Sequence, residues 1–346
     1  MKNAKIRVLV IDDSIFMRTL ISDMLNSDPE IEVIDTAKDG EEALDKLSKI
    51  RPDCITLDLV MSGWDGLTIL EHIMDVYPTP VVIISAYSKK DADITIKCLK
   101  AGAVDFVSKP SGELSLDIRE VKHELLEKVK AASRVNVGRI KLLVRKKRKW
   151  PKRKLAALNK IIVIGASTGG PQTLEAILYS LPASLPVPVI IVQHLPTKFF
   201  TESLAEHLNK ISDLEVKVAE NAEVLKPGKV YLAPAGFHMT FKMSDIEVVT
   251  SLTKAPPNSL SPSVDIAMES IAKIYDENSL GIILSGMGCD GREGMKAIKH
   301  AGGKTIVQDE SSIIFGMPKA VIDAGIADEV LSVDGIADAI MEGGGV

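Results

Sequence analysis

IIVIGASTGGP (residues 161–171) joins a run of apolar residues to a glycine-rich turn and the start of an amphipathic helix. Such a turn can hold a phosphate group on the free N–H groups of the helix. It can also expose a nucleophile, here Ser167, on a tight bend. The glycine spacing is not G-x-G-x-x-G, and no acidic residue follows the next apolar run, where a bound ribose would need one. We therefore favour the nucleophile over phosphate binding or a simple helix cap.

Two other polar residues follow apolar runs in the same half of the chain. His194 comes directly after residues 189–193, and Asp290 follows residues 281–285 and a short Gly-Met-Gly-Cys turn. If these runs are parallel strands, the serine, histidine and aspartate meet at the carboxyl edge of one sheet, where open α/β sheets bind ligands. These residue types are the parts of a nucleophilic hydrolase. Their chain order differs from that of α/β-hydrolases, so we expect another fold.

The other candidates for these roles have weaker sequence signals. His238 is the competing base, or it shapes the cleft without taking part in the chemistry. His207 falls on a predicted helix face and is expected to be solvated. Cys289 lies next to Asp290, but no base is assigned to it, and a packing role is favoured. Asp290 also fits the N-cap of the helix that follows, which is compatible with a catalytic role.

The N-terminal half alternates strand-like and helical segments. The predicted strands are 6–11, 32–36, 54–57, 81–85 and 105–107, and the predicted helices are 14–25, 40–49, 66–77, 91–101 and 118–134. Five βα units of this length indicate a doubly wound parallel sheet. The alternation restarts near residue 160, which predicts a second doubly wound, mainly parallel α/β domain.

Polar residues again stand at the predicted strand ends of the N-terminal half. Asp12 and Asp13 follow the first strand, Asp58 the third, Ser85 ends the fourth, and Lys109 follows the fifth. Three carboxylates at one edge repel one another unless a hard cation lies between them, and oxygen ligands suit Mg²⁺. Such a set can accept a phosphoryl group on one carboxylate, because the cation, the lysine and the hydroxyl stabilise its oxygens.

This pattern over residues 5–125 resembles the response-regulator receiver domain. The resemblance implies Asp58 as the phosphoacceptor, a Mg²⁺ site formed by Asp12, Asp13 and Asp58, and Ser85 and Lys109 as switch residues. One departure is Met-Ser-Gly at residues 61–63, where receivers usually carry Met-Pro. That proline shapes a loop and has no chemical role, so the departure leaves the assignment unchanged.

Length and composition indicate two ordinary globular domains. The chain has 346 residues, of which 46% are hydrophobic and 26% charged, and this is long for one domain. No apolar stretch approaches the roughly 20 residues that span a bilayer. The first apolar run is too short for the core of a signal peptide. We expect no membrane insertion. Three widely spaced cysteines match no metal motif and favour a reduced, cytosolic setting.

The charge is unevenly distributed along the chain. Residues 1–128 contain 16 Lys/Arg and 24 Asp/Glu, a formal net charge of −8, whereas residues 139–154 contain ten Lys/Arg and no acid. Like charges repel, which favours an extended, solvated linker. Trp150 is the only aromatic residue of the run, which argues against nucleic-acid binding. We predict two domains, 1–128 and 159–346, joined by a basic linker, 129–158.

Seven segments of the C-terminal half form a combined pattern. They are GASTGGP (165–171), QHLP (193–196), LAPAGFHM (232–239), PSVD (262–265), GMGCDG (286–291), QDE (308–310) and FGMP (315–318). Together, over residues 160–340, they resemble the catalytic domain of chemotaxis protein-glutamate methylesterases. A receiver, a linker and this domain are that family's architecture.

The resemblance implies hydrolysis of glutamate methyl esters, and deamidation of certain glutamines, on the cytoplasmic helices of chemoreceptors during chemotaxis adaptation. Ser167 would attack the carbonyl, His194 would move the proton, Asp290 would orient the imidazole, and the Met287 N–H would bind the oxyanion. A chemotaxis histidine kinase would donate the phosphoryl group, and the enzyme would be cytoplasmic. Mg²⁺ would serve phosphorylation only, and ester hydrolysis would need no cofactor.

One departure and two rival functions remain to be weighed. The family usually carries Arg-x-Arg before Pro-Ser-Val-Asp, whereas this chain has Asn-Ser-Leu-Ser at residues 258–261. The missing charges would suit an acidic receptor helix, so the departure concerns receptor choice or turnover.

The main rival function is a receiver-controlled binding module without turnover. A transcription factor would need a helix-turn-helix with a basic recognition helix, and the strand-rich C-terminal half offers none.

Overall fold

Two units make up the fold, Met1–Leu142 and Leu143–Val346. The computed structural model describes residues 4–61, 64–86, 88–109, 116–141, 147–148, 150, 159–256 and 259–343. Within these ranges, none of the helices combines the length and the apolar character needed to cross a membrane.

The N-terminal unit is built around a five-stranded parallel sheet with the strand order β2-β1-β3-β4-β5. Its elements are β1 (Ile6–Ile11), α1 (Ile15–Asn26), β2 (Ile31–Ala37), α2 (Gly40–Lys49), β3 (Cys54–Asp58), α3 (Gly66–Val76), β4 (Val81–Ser85), α4 (Lys89–Ala101), β5 (Asp105–Ser108), α5 (Leu116–Ala132) and α6 (Val137–Lys141). The central strands β3 and β4 are buried throughout, as expected of strands covered on both faces. The predicted doubly wound sheet is confirmed.

Part of the predicted linker, residues 129–158, is helical, in line with the predicted helix 118–134. Helix α5 continues to Ala132, and α6 follows, because Val137 and Ile140 are buried. Three described residues of the basic run, which belong to the C-terminal unit, contact other residues of that unit. Lys147 forms an ion pair with Asp213 at 2.8 Å, Arg148 pairs with Asp334 at 3.0 Å, and Trp150 Nε1 donates to the Ser180 carbonyl at 2.7 Å. The rest of the run, residues 142–146, 149 and 151–158, lies outside the described residues.

The C-terminal unit contains a seven-stranded parallel sheet with the order β14-β13-β12-β6-β7-β9-β8. Its elements are β6 (Ile161–Ala166), α7 (Gly170–Ser180), β7 (Val189–Gln193), α8 (Lys198–Ile211), β8 (Glu215–Val218), β9 (Lys229–Leu232), β10 (Phe237–Ser244), β11 (Glu247–Lys254), α9 (Val264–Tyr275), a 3₁₀ turn (Asp276–Asn278), β12 (Ser279–Ile283), α10 (Arg292–His300), β13 (Lys304–Gln308), α11 (Met317–Asp323), β14 (Glu329–Leu331) and α12 (Val333–Gly343). The predicted mainly parallel domain is confirmed.

Strands β10 and β11 form an antiparallel hairpin outside this sheet, which the sequence analysis did not predict. Met239 and Phe241 alternate toward the core, and Ser270 of α9 accepts from and donates to the backbone of Phe241 at 2.8 and 3.2 Å. The hairpin is therefore held by a few inward side chains and by α9.

The centre of the seven-stranded sheet is tightly packed around β6. All residues of β6, β7 and β12 are buried. A Cβ atom added at Gly165 of β6 would lie 2.4 Å from Val264 Cγ1 and 2.9 Å from Ile283 Cδ1. The glycine thus lets α9 pack directly on the strand that precedes Ser167.

We predict that Gly165→Ala lowers the free energy of unfolding of the C-terminal unit by about 1–3 kcal/mol, because the added methyl group overpacks the core. The measurement is urea unfolding followed by Trp150 fluorescence. A Trp64→Phe background removes the other of the two tryptophans, so that the signal reports this unit alone.

Gly335→Ala in α12 is the matched control. Its added Cβ atom would come no closer than 3.3 Å, to Leu331 Cβ, and alanine is the better helix former by about 1 kcal/mol. Its stability should be unchanged or slightly higher. Equal destabilisation by the two substitutions would contradict the packing argument.

Candidate catalytic and phosphorylation sites

The register of the seven-stranded sheet brings Ser167 and His194 side by side. Ala166 is paired with Gln193, the last residue of β7. The residues that follow them, Ser167 and His194, therefore leave the sheet at the same level. The His194 N–H donates to the Ala166 carbonyl at 3.0 Å, and the Ser167 N–H donates to Ser285 of the neighbouring β12 loop at 3.0 Å. The carboxyl edge therefore positions both residues through the backbone, as the sequence predicted.

The turn after Ser167 requires glycine. Gly169 has φ +76°, and a Cβ atom there would lie 2.6 Å from both Ile313 Cβ and Ser285 Oγ. A side chain would be strained and would also clash. The chain consequently bends sharply into α7 and leaves Ser167 half-buried at the sheet edge.

His194 is joined to Asp290 by a 2.8 Å contact between Nε2 and Oδ2. An ionised carboxylate only accepts hydrogen bonds, so Nε2 carries the proton and Nδ1 is left as the free base. Within the described residues, Ser167 Oγ forms no hydrogen bond with His194. Such contacts are often long before a substrate binds.

Asp290 lies at the N-terminal end of helix α9, an arrangement that the sequence analysis missed. Its carboxylate accepts hydrogen bonds from the Val264 N–H at 2.7 Å, the Asp265 N–H at 3.0 Å and Ser263 Oγ at 3.1 Å. Burial alone would raise the pKa of Asp290, but the bond from His194 and these backbone donors bring it to about 2. Asp290 therefore stays ionised and fixed in orientation.

Asp265, beside Asp290, has its pKa shifted in the opposite direction. Burial raises its pKa to about 6, and the neighbouring Asp290 charge adds to this, although the Gly294 N–H donates to Asp265 Oδ1 at 2.7 Å. Two carboxylates in one partly desolvated place push their pKa values apart. Below about pH 6, one negative charge is thus favoured next to His194.

The loop after β12 passes directly over Ser167. A Cβ atom at Gly286 would lie 2.9 Å from Ser167 Cβ and 2.3 Å from Met317 Sδ. The Gly286 carbonyl accepts from the Gly316 and Met317 N–H groups at 3.0 and 2.8 Å. The N–H of the next residue, Met287, has no acceptor within the described residues. A free donor there is compatible with the predicted oxyanion role, which stays a prediction.

The competing candidates lie elsewhere. His238 is in β10, and its Nδ1 is buried without a hydrogen-bond partner among the described residues. His207 Nε2 contacts Glu175 Oε2 at 2.8 Å between α8 and α7, with both side chains largely buried, so the expectation of a solvated histidine is wrong. Cys289 is exposed. Of the histidines considered, His194 is the one that contacts Asp290.

The acidic residues of the N-terminal unit also meet at a sheet edge. Asp12, Asp13 and Asp58 place carboxylate oxygens within 4.8 Å of one another. Lys109 Nζ lies 2.7 Å from Asp58 Oδ2 and 3.1 Å from Asp12 Oδ2. Burial raises the pKa of Asp58, the lysine opposes this shift, and Asp12 adds to it. An oxygen-only donor set with crowded negative charge fits a hard cation such as Mg²⁺.

Ser85 and Lys109 lie at the ends of β4 and β5 on the same edge of the sheet. Ser85 is fully buried at the end of β4, and Thr95 Oγ1 of α4 lies 2.9 Å from its Oγ. The Lys109 N–H donates to the Ser85 carbonyl at 2.7 Å. Burial alone would lower the pKa of Lys109, but the pairing with Asp58 and Asp12 raises it. The predicted residues are therefore assembled together, although their switch role is a prediction.

Comparison with known proteins agrees with both predicted domains. A model of the CheB methylesterase family matches residues 162–340, and a model of the response regulator receiver domain matches residues 8–119. The chain belongs to the CheB methylesterase family. Both resemblances stated from the sequence are confirmed.

Relatives of this CheB-family chain match almost end to end. A Thermotoga maritima protein named protein-glutamate methylesterase/protein-glutamine glutaminase is 43% identical over 344 residues, 99% of each chain. A Bacillus licheniformis protein of the same name is 45% identical over 349 residues, 97% of this chain and 98% of that one. The crystal structure of the Thermotoga maritima CheB methylesterase catalytic domain is 44% identical. It covers 53% of this chain and 97% of its own, with a TM-score of 0.52.

Local signals for the missed residues of this CheB-family site were present in the sequence. Ser263 is the N-cap of α9 and accepts from the Ile266 N–H, and a serine just before an amphipathic segment is a usual helix start. That signal predicts a helix terminus, but the partner of the terminus, Asp290, is 27 residues away from Ser263.

The segment 258–261 departs from the pattern that the family usually carries. Asn258 lies outside the described residues, and Leu260 is 56% exposed.

We predict a pH-dependent effect of Asp265→Asn on stability. The folded pKa of about 6 lies above the ordinary value of 3.8, so the ionised form disfavours the folded state. The free energy of unfolding of the variant, minus that of the wild type, should therefore increase as pH rises from about 4 to about 6, and then level off. The measurement is urea unfolding across that range.

The asparagine Oδ1 still accepts from the Gly294 N–H, so the substitution removes the charge and keeps that hydrogen bond. A stability difference that is constant with pH would contradict the coupling of the two carboxyl groups.

Proposed function

We propose that the protein is a phosphorylation-regulated protein-glutamate methylesterase and protein-glutamine glutaminase that acts on chemoreceptors in chemotaxis adaptation. The observation that carries the proposal is the 2.8 Å contact between His194 and Asp290, next to Ser167 on the same sheet edge. The names of the full-length relatives support the same substrate chemistry.

The ester bond is broken by acyl transfer to Ser167. His194 Nδ1 accepts the serine proton as Oγ attacks the carbonyl carbon, and it later gives that proton to the leaving group, which departs as methanol from an ester or as ammonia from a glutamine. Asp290 holds Nε2–H and stabilises the imidazolium, since its low pKa keeps it ionised. The Met287 N–H stabilises the oxyanion. Water then hydrolyses the acyl-enzyme by the same route. In the usual serine-protease triad the two ring nitrogens have the opposite assignments.

The N-terminal unit controls this activity through phosphorylation of Asp58. Asp12, Asp13 and Asp58 would hold Mg²⁺, which neutralises phosphoryl oxygens when bound. Lys109 contacts two of the carboxylates and supplies a further positive charge to the phosphoryl group. Ser85 donates a hydrogen bond to it.

The partners follow from this assignment. The substrates are methylated glutamates, and certain glutamines, on cytoplasmic helices of chemoreceptors, and a chemotaxis histidine kinase is the phosphodonor. The protein acts in the cytoplasm without membrane insertion and does not bind nucleic acid. Ester hydrolysis itself needs no cofactor.

We predict that Ser167→Ala abolishes methanol release from methylated receptor membranes, because the substitution removes the hydroxyl that attacks the carbonyl carbon in the proposed mechanism. A loss of about 10³-fold or more is expected for a triad member. The assay measures released methanol, with circular dichroism to show that the variant is folded. Equal release by the folded variant would refute the nucleophile.

The two histidines provide a matched pair for the base. His194→Gln should lose activity to a similar extent as Ser167→Ala, since both act as one unit. His238→Gln should keep methanol release within about tenfold of wild type, because general-base catalysis contributes 10²–10⁴-fold and His238 does not contact Asp290. The reverse ranking would assign the base to His238.

We predict that Asp58→Asn makes the methanol-release rate identical with and without acetyl phosphate, because the amide cannot accept the phosphoryl group. The wild type should be faster with the phosphodonor. Asp45→Asn, which changes an exposed acid of α2 that pairs with Lys49, is the control and should retain the stimulation. Stimulation that persists in Asp58→Asn would contradict the assignment of the phosphoacceptor.

A further inference from the structure

The side chain of Gln193 joins the loops that carry Ser167 and His194. Its Nε2 atom lies 2.9 Å from the Ser167 carbonyl oxygen and 3.1 Å from the His194 carbonyl oxygen. A primary amide has two N–H groups and can donate one to each carbonyl. Gln193 is 3% exposed, so bulk water does not compete for these hydrogen bonds, which are stronger in the less polar surroundings.

These bonds complement the contacts of the sheet. The N–H groups of Ser167 and His194 are held by the carbonyls of Ser285 and Ala166, each at 3.0 Å. The carbonyl groups lie beyond the last strand pair, on the other side of each catalytic Cα atom. The amide of Gln193 therefore holds the carbonyl groups of both residues through one planar group.

Gly170, the first residue of α7, leaves room for the amide, whose orientation is set by the two carbonyl acceptors. A Cβ atom at this position would lie 2.0 Å from Gln193 Oε1, so only glycine leaves room for the side chain. Oε1 has no hydrogen-bond partner among the described residues. It lies against the N-terminal end of the helix, where the partial positive charge suits an oxygen atom. The opposite orientation would set Oε1 against two carbonyl oxygens.

We propose that Gln193 is a positioning residue of the esterase, whose amide sets the distance between Ser167 Oγ and His194 Nδ1. The inference rests on the proposed function of Ser167 as the nucleophile. Gln193 touches neither the substrate nor the reacting atoms. Its effect comes through geometry, and a misplacement of about 1 Å can cost about 100-fold in rate.

The test is covalent labelling of the full-length protein with diisopropyl fluorophosphate. Ser167 Oγ forms the bond to phosphorus, the P–F bond breaks, fluoride leaves, and His194 takes the proton. Gln193→Met has a similar length and shape but donates no hydrogen bond. It should lower the labelling rate constant at saturating reagent by about 100-fold and leave the half-saturating concentration unchanged.

Gln193→Glu adds a pH readout that a purely structural role would not produce. A protonated carboxyl group can donate to one of the two carbonyls, whereas the carboxylate repels both. The labelling rate relative to wild type should therefore fall as pH rises. The titratable groups of this edge, His194, Asp290 and Asp265, are present in both proteins, so the ratio of the two labelling rates reports the substitution.

Gln308→Glu is the matched control, a buried glutamine at the end of the neighbouring β13. There Oε1 is the bonded atom and accepts from the Ser285 N–H at 2.9 Å, while Nε2 has no partner among the described residues. A carboxylate keeps this acceptor, so the relative labelling rate should not fall as pH rises.

Unchanged labelling in Gln193→Met would overturn the positioning role. So would a loss in Gln193→Glu that is the same at every pH and is matched by a lower unfolding midpoint. If the wild type itself is not labelled and releases no methanol, the proposed function fails, and the inference fails with it. Labelling of wild type with slow labelling of Gln193→Met supports both.

Discussion

The parallel pairing of β6 with β7 on one side and β12 on the other sets the position of the whole catalytic edge. Ala166 pairs with Gln193, and Gly165 pairs with Ile283, so the three strands end at nearly the same level of the sheet. A slip of one residue would turn alternate side chains to the opposite face. The register is held because each of these strands is buried on both sides.

Once the register is fixed, the main electrostatic constraint is a buried negative charge beside a histidine. Asp290 has this charge stabilised by the first N–H groups of α9 and by His194. Because Val264 of the same helix packs against Gly165 of β6, the helix that holds the carboxylate also lies on the strand that leads to Ser167. Packing and electrostatics therefore fix one geometry together.

The features that the sequence predicts well are the local ones. The bounds predicted for β1, α2 and β4 agree with the structure, because apolar runs and capping residues such as Asp39 act within a few residues. The pairing of Glu175 with His207 and that of Asp290 with α9 join residues 32 and about 25 positions apart, which no local pattern encodes. The ring nitrogen of His194 that faces Asp290 depends on a side-chain rotation and is likewise decided only in the fold.

Each of the two sites lies at the carboxyl edge of its own parallel sheet. The two sites balance charge in opposite ways. At the catalytic edge, backbone N–H groups and one histidine hold a single carboxylate ionised, which suits a group that must stay fixed while a proton moves past it. In the N-terminal unit, three carboxylates converge, and one lysine contacts two of them. Burial, with a smaller contribution from the Asp12 charge, raises the pKa of Asp58, and the excess negative charge favours a bound cation. A site poised in this way responds to added charge, whereas the catalytic edge is built to resist it.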